Sequence, residues 1–307
     1  MKIFVTGGAG FIGSHLVTSL LKENNKVVIY DNLKSSSKDK ISHLLKNGAL
    51  FVKGNVSDYK SLSKSVSGFD CVVHLAGETD VQESIKFPEY TNQVNVTGTV
   101  NLLRACVEQK VSNVIAASSA AVYGNPKDQP LSENSPTIPI SPYGASKIAM
   151  ENYMQAFSHS YDLNCISLRL FNVYGKDQSN AYAGVITKFM ERISKNKPLK
   201  IFGDGSSTRD FVSIEDVIQS IQNAITKVDG KKGNFYNIGS GKYTTIEDLA
   251  KLMISISGKS LSIEYKKPRK GDIEHSQTSI WLAQRDLGYH PKITLKEGLE
   301  RLLKQPS

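Results

Sequence analysis

Cysteine, tryptophan and long apolar runs are what this sequence has least of. The three cysteines, Cys71, Cys106 and Cys165, stand in apolar stretches with no short paired spacing. An odd number without a C-x-x-C pattern argues against a disulfide framework and against a zinc site, and no metal is expected. Buried thiols in a reducing compartment are predicted instead. No run of about 18 apolar residues occurs, so no membrane-spanning helix and no membrane partner is predicted. The N-terminus enters a strand-like run at once and lacks the basic region and apolar core of a signal peptide. A cytoplasmic protein is expected, in which the Asn95-Val96-Thr97 sequon goes unused. Basic blocks interleaved with aromatics are missing too. The net charge of +9 is scattered, mostly on lysine, and suits an anionic small ligand; no nucleic-acid partner is expected.

What is present is alternation. The composition, 39% hydrophobic and 22% charged, is that of a globular chain, and 307 residues suffice for one large core with a smaller lobe. The strand candidates are KIFVTG (2–7), KVVIYD (26–31), ALFVKG (49–54), CVVHLA (71–76), NVIAAS (113–118) and NCISLRL (164–170). They read as continuous apolar runs, as strands covered on both faces do. Stretches with helical spacing separate them, among them YTNQVNVTGTVNLLRACVEQ and SPYGASKIAMENYMQAFSHSY. The fold class is therefore α/β: a Rossmann-type doubly wound parallel sheet with a smaller C-terminal α/β lobe. After residue 175 the pattern loosens. A helix is expected near 184–195, another over SIEDVIQSIQNAI, and a strand at FYNIG (235–239). Thr244–Glu247 and Thr294–Glu297 have the T-x-x-E spacing of helix capping boxes.

The run VTGGAGFIGSH follows the first strand and opens the first helix. Gly8-x-Gly10-x-x-Gly13 has dinucleotide spacing, and Gly7 and Gly10 add a G-x-x-G-x-x-G reading. Glycines there allow a tight turn and close approach of a pyrophosphate to backbone N–H groups at a helix N-terminus. The strand, turn and helix stand in the required order, which lifts the pattern above chance. Asp31 closes the second strand, eighteen residues after Gly13. Its carboxylate can accept from ribose hydroxyls and would repel a 2′-phosphate, so NAD is predicted over NADP. Asn32 and the start of KSSSK lie within reach of the same ribose.

Tyr143 and Lys147 are four apart, in a stretch that should be helical after Pro142, so they share a face. A free phenol, with a pKa of about 10, is a poor base. Bringing it near neutrality takes roughly 3 pH units, or about 4 kcal/mol. An ammonium and an oxidised nicotinamide ring close by are of the right sign to do so. Such a group suits removal of a hydroxyl proton while hydride leaves the same carbon. A strand ending in Ser118-Ser119 supplies further hydroxyls.

With these residues in view, the sequence resembles the extended short-chain dehydrogenase/reductase family, and within it the UDP-sugar 4-epimerases. The landmarks are TGGAGFIG (6–13), YDNL (30–33), HLAG (74–77), NVTGT (95–99), SSAAVYG (118–124), YGASK (143–147), RLFNVYG (169–175), GDGSSTRDFVSIEDV (203–217), NIGSG (237–241) and PRKGD (268–272). They span nearly the whole chain. The resemblance implies an NAD-binding Rossmann domain over 1–170, to which segments about 211–238 return, and a mainly nucleotide-sugar-binding lobe over 171–307. It implies that Ser119 shares the sugar 4-OH with Tyr143, and that Lys147 binds the nicotinamide ribose. Phe11, Ile12 and Val56 would border the cofactor, as would Ser118 and Phe171. Leu75, Ala76, Gly77 and Asn95 would line its adenine and diphosphate side. Asn172 would contact the substrate diphosphate, Arg209 and Arg269 would clamp it, and Asp272 would hold the uridine ribose. A forked guanidinium suits a diphosphate better than an ammonium does. The helices around 90–109 and 142–160 resemble a family dimer interface, so a homodimer is expected.

Relatives that eliminate water resemble one another in an Asp-Glu pair where this chain has Ser119-Ala120, and decarboxylases of UDP-glucuronate carry Glu at the place of Ala120. Alanines supply no added acid or base, so oxidation and re-reduction at one carbon is the expected chemistry. Ser276 stands where epimerases restricted to non-acetylated sugars resemble each other in a bulky tyrosine. UDP-GlcNAc/UDP-GalNAc is thus expected alongside UDP-Glc/UDP-Gal. The resemblance places Thr79 and Asp80 beside the sugar, where they differ from many relatives. Asn55 replaces the usual Asp beside adenine, and its amide oxygen can still accept from the adenine amino group. A UDP-glucuronate 4-epimerase, a nucleotide-sugar reductase with exchanging NAD(P)H, and a catalytically silent NAD- or RNA-binding relative are the alternatives.

Overall fold

The first apolar run becomes strand β1 (Lys2–Thr6), and every residue after Lys2 in it is buried. The computed structural model describes residues 1–178, 184–268 and 273–304. Next come β2 (Lys26–Asp31), β3 (Leu50–Lys53), β4 (Cys71–His74), β5 (Asn113–Ser119) and β6 (Asn164–Leu170). The short strands β7 (Asn172–Tyr174), β8 (Leu199–Phe202), β9 (Thr208–Arg209) and β10 (Phe211–Ser213) follow. Then come β11 (Lys232–Ile238), β12 (Thr244–Thr245) and β13 (Ile263–Lys266). Seven of these form one sheet in the order β3-β2-β1-β4-β5-β6-β11, paired in parallel throughout. The doubly wound α/β sheet is thus present, and β11 from the later half of the chain closes its edge.

Both faces are covered. On one, Leu16, Val17 and Leu20 of the helix Phe11–Lys22 pack with Val217, Ile218 and Ile221 of the helix Ile214–Lys227. On the other, Leu102, Leu103 and Cys106 of the helix Gly98–Glu108 meet Met150 and Met154 of the helix Pro142–Tyr161. Each fully buried side chain of this kind contributes about 1.5–3 kcal/mol. A separate core holds the smaller lobe, with Phe189, Leu199, Leu249, Met253 and Leu299 at its centre. All three cysteines are buried and unpaired, and burial pushes the Cys165 thiol up to about 11. Among the described residues, no helix is long and apolar enough to cross a membrane.

Two expectations shift in detail. The capping box at Thr294–Glu297 forms, with Thr294 and Glu297 capping reciprocally. The one at Thr244–Glu247 slips by a residue: Thr244 pairs with Arg209 in β12–β9, and Thr245 caps the next helix by accepting from the Asp248 amide. The stretch read as one helix over 90–109 is interrupted by a π-helical turn, Gln93–Thr97. The inserted residue turns Asn95 inward, where it is buried.

Candidate active site

The sheet order reverses between β1 and β4, and the carboxyl ends of the strands open there into one cleft of about 1390 Å³. The glycine turn is its floor. Gly7 has φ 67°, and a Cβ on it would lie 2.6 Å from the Ala76 amide nitrogen. A Cβ on Gly13 would lie 2.3 Å from the Gly7 carbonyl oxygen. The first helix therefore seats directly on the turn. No side chain caps its start, and Gly10, Phe11, Ile12 and Gly13 all line the cleft. An anion placed there meets backbone amides and the positive end of the helix dipole.

Asp31 stands at the edge of this floor. Its carboxylate accepts from the Ala9 amide at 3.0 Å and from the Leu33 amide at 2.8 Å. Burial nonetheless pushes its pKa up, with those two hydrogen bonds opposing the shift. Asn32 turns its amide oxygen onto the Lys34 amide, and Asn55 turns its own onto the Ser57 amide, so one lone pair on each is already used. Val56, Leu75, Ala76 and Gly77 line the same half of the cleft. An uncapped helix start, a glycine floor and a carboxylate at the end of β2 together fit a dinucleotide.

Asn95 braces the cleft from behind Gly77 and Glu78, where a Cβ on Gly77 would lie 3.0 Å from its Oδ1. Its Oδ1 accepts from the Glu78 amide at 2.8 Å, and its Nδ2 donates to the Glu78 carbonyl and to Ser146 Oγ, both at 2.9 Å. Behind it, Thr99 donates to the Asn95 carbonyl and therefore accepts from His74 Nε2, while His74 Nδ1 meets Thr6 Oγ1 at 2.7 Å. Burial, helped by the Lys147 charge, holds His74 down at about 3, so the ring is neutral. The amide that would carry a glycan is enclosed. Glu78 also pairs with Lys34 at 2.8 Å along the cleft's lip, a contact no motif announced.

Ser119, Tyr143 and Lys147 line the same cleft, with Lys147 Nζ close to Gly77: a Cβ there would lie 3.6 Å from it. Ser141 caps the helix Pro142–Tyr161 by accepting from the Gly144 amide, and Pro142 fills its first turn. The buried face of that helix carries Tyr143, Lys147 and Glu151 at core spacing, where apolar residues would ordinarily stand. The Tyr143 amide donates to Ser84 Oγ at 3.1 Å, and its side chain is hydrogen-bonded to Ser119. Ser119 in turn accepts from the Ala121 amide at 3.1 Å. Lys147 Nζ lies 5.9 Å from the Tyr143 ring centroid and donates to the Ala117 carbonyl at 2.7 Å.

The two ionisable groups start from shifted positions. Burial pushes the Tyr143 phenol up, and the Ser119 hydrogen bond only partly offsets it. The ammonium is the perturbed partner: burial lowers Lys147 to about 8, against the attraction of Glu151. The physical reason is that a desolvated phenolate and a desolvated ammonium are both costly, and Lys147 is aimed at a carbonyl rather than at the phenol.

The remaining expected residues divide. Ser118, Phe171, Thr79, Asn172 and Arg209 line the cleft. Asn172 donates from its backbone and from Nδ2 to the Asp210 carbonyl, each at 3.1 Å, and Arg209 Nη1 donates to the Thr208 carbonyl at 2.7 Å. Arg269 and Asp272 lie outside the described residues. Ser276 is buried and is not among the described lining residues; the adjacent Gln277 amide donates to Gln129 Oε1.

The chain's relatives have the same architecture. The UDP-glucose 4-epimerase of Mycolicibacterium smegmatis is 36% identical over 98% of this chain and 97% of its own length. The UDP-glucose 4-epimerase of Thermotoga maritima, solved with UDP-glucose, superposes with TM-score 0.93 at 36% identity, covering 99% of this chain and 98% of that one. The UDP-glucuronic acid 4-epimerase of Bacillus cereus, solved with UDP-glucuronic acid and NAD, gives TM-score 0.91 at 33% identity, over 98% and 97%. Matching over residues 3–239, this chain belongs to the NAD dependent epimerase/dehydratase family of enzymes, with NAD as its cofactor.

Proposed function

We propose that the chain interconverts the C4 epimers of a UDP-hexose, with UDP-glucose and UDP-galactose as the first pair. The observation that carries this is the grouping of Ser119, Tyr143 and Lys147 on one wall of the dinucleotide cleft, followed by Ala120 and Ala121. Elimination would need an added acid and base there, and alanine is neither.

When bound, NAD supplies the acceptor, and later the donor, of the C4 hydride. Tyr143, as phenolate, takes the 4-OH proton as the C4–H bond breaks, leaving a 4-keto sugar. After the sugar turns over, the same phenol returns its proton to the oxygen as C4–H re-forms on the other face. Nothing is consumed. Ser119 holds the same oxygen through its hydroxyl, and the Lys147 ammonium favours the phenolate. Asn172 and Arg209 line the same cleft, where they would hold the diphosphate, and Arg269 and Asp272 are proposed to share in binding the UDP part. Binding through the unreactive UDP part leaves the hexose loose enough to rotate. Acceptance of the 2-acetamido pair rests on the small side chain of Ser276.

The test is incubation of the purified chain with UDP-glucose, UDP-galactose, UDP-GlcNAc and UDP-glucuronate in turn, without added NAD, followed by product chromatography. Interconversion of the first pair with no net redox is expected. Stoichiometric consumption of added NADH would mean a reductase, and no conversion of any sugar would end the reading.

A further inference from the structure

Behind the catalytic wall lies a fully buried polar network that the chemistry above does not use. Glu151 is one helical turn beyond Lys147 on the same face. Its Oε1 accepts from Ser118 Oγ at 2.5 Å and from Arg169 Nε at 2.9 Å, and its Oε2 accepts from Arg169 Nη2 at 2.7 Å. Arg169 and Glu151 are 3% and 5% exposed. The Arg169 guanidinium also donates from Nη1 to the Tyr123 hydroxyl at 2.8 Å and to the Glu133 carbonyl at 3.3 Å, and lies 4.0 Å from the Phe235 ring. The Tyr123 hydroxyl donates to Asn237 Oδ1 at 2.6 Å, and the Asn237 amide donates to Glu133 Oε1 at 2.8 Å. The network therefore joins β5, β6, β11 and the helix Pro142–Tyr161. Ser119, Tyr143 and Lys147 are all carried by two of these elements.

A buried ion pair is a poor way to gain stability, since desolvation cancels most of the attraction. Its location suggests another use. The charged and titratable groups around Lys147 are Tyr143 and Glu151 on its own helix, neutral His74 from β4, and Arg169 from β6 through Glu151. Glu151 is the one carboxylate in this set, and Arg169 and Ser118 fix its position. We propose that Glu151 is a positioning residue for the reaction: clamped by Arg169 and Ser118 one helical turn beyond Lys147, its carboxylate fixes where the Lys147 side chain sits beside the end of the strand that bears Ser119. This rests on the catalytic assignment of Lys147 made above.

The experiment is a ¹³Cε-lysine NMR titration of the full chain, with the Lys147 signal assigned by its loss in Lys147→Arg, run beside kcat–pH profiles with UDP-glucose. Glu151→Gln is expected to lower the Lys147 midpoint by about 1 pH unit. The alkaline fall of kcat should move down by the same amount, with KM within about twofold of the parent. Glu151→Gln/Arg169→Gln removes both charges and guards against a folding defect. Recovery of Tm is expected there, with the midpoint between those of Glu151→Gln and the parent, because loss of the Arg169 cation favours the ammonium. An unchanged midpoint in Glu151→Gln, or one lowered further in the double variant, would overturn the proposal. Failure of the parent chain to epimerise any UDP-sugar would remove the proposed activity but leave the NMR result readable.

Discussion

The Asp31 carboxylate and the Ala9 amide are joined by a 3.0 Å hydrogen bond that ties the end of β2 to the glycine turn. Asp31→Ala breaks this tie and the bond to the Leu33 amide at once, leaving two backbone donors unpaired at about 1–3 kcal/mol each. NAD affinity should fall by about 10–100-fold, measured by calorimetric titration and by the NAD released from heat-denatured protein. Burial raises the pKa of this carboxylate, so the acceptor is present above that raised value and is lost as pH falls through it. NAD retention should therefore weaken on mild acidification sooner than an ordinary aspartate would predict. Unchanged NAD content in Asp31→Ala would take this residue out of the cofactor site.

Gly13→Ala tests the floor itself. The added methyl would meet the Gly7 carbonyl oxygen at 2.3 Å and the Gly8 Cα at 2.6 Å, both backbone atoms that cannot swing aside. The helix Phe11–Lys22 must lift off the turn, taking its first amides with it. The variant should keep the parallel sheet but lose stability along the face where Leu16, Val17 and Leu20 pack, and purify without NAD. Normal NAD content with normal activity would show that the close approach is dispensable.

The sheet was legible because its strands are covered on both faces, and so spell themselves as unbroken apolar runs. The two- and three-residue strands β7, β9, β10 and β12 carry no period to read. In T-T-I-E-D, either threonine offers a capping box, and only the pairing of Thr244 with Arg209 decides between them. The glycine turn and the Tyr143/Lys147 pair announce themselves because strand order and helix spacing are local properties. Asn95 and Ser276 escape such reading. One depends on an extra residue in a π turn, the other on where a distant segment docks. Glu151 could have been found: lysine followed four residues later by glutamate, on a face otherwise destined for the core, is a local signal.

Lys147 links stability to function. Its folded pKa, about 8, lies below the ordinary lysine value of 10.5. The folded state thus resists the charged form, and this penalty is fully present below pH 8. It is relieved as pH rises from there to the unfolded value, because the unfolded chain binds more protons in that window. The gap corresponds to about 3 kcal/mol at neutral pH, part of which the hydrogen bond to the Ala117 carbonyl returns. Lys147→Met should therefore raise Tm at pH 7 by about 2–4 °C while abolishing turnover. Calorimetry across pH checks the sign: the advantage of the variant must shrink as pH climbs toward 10.5. A variant less stable than the parent at pH 7 would mean that Lys147 is held in a better-solvated site than its burial implies.

Tyr143→Phe isolates the proton transfer. The ring stays buried, the backbone amide keeps its bond to Ser84, and only the hydroxyl shared with Ser119 is lost. UDP binding, measured by calorimetry, should be unchanged, since the residues expected to hold the diphosphate, Asn172 and Arg209, are left in place. The kcat for UDP-glucose should drop by about 10²–10⁴-fold, the ordinary contribution of a positioned acid-base group. Ser119→Ala should cost less, because it removes a hydrogen bond to the reacting oxygen and leaves the base in place. If Ser119→Ala proved the more damaging of the two, the proton would have to leave through the serine, and Tyr143 would be its orienting partner.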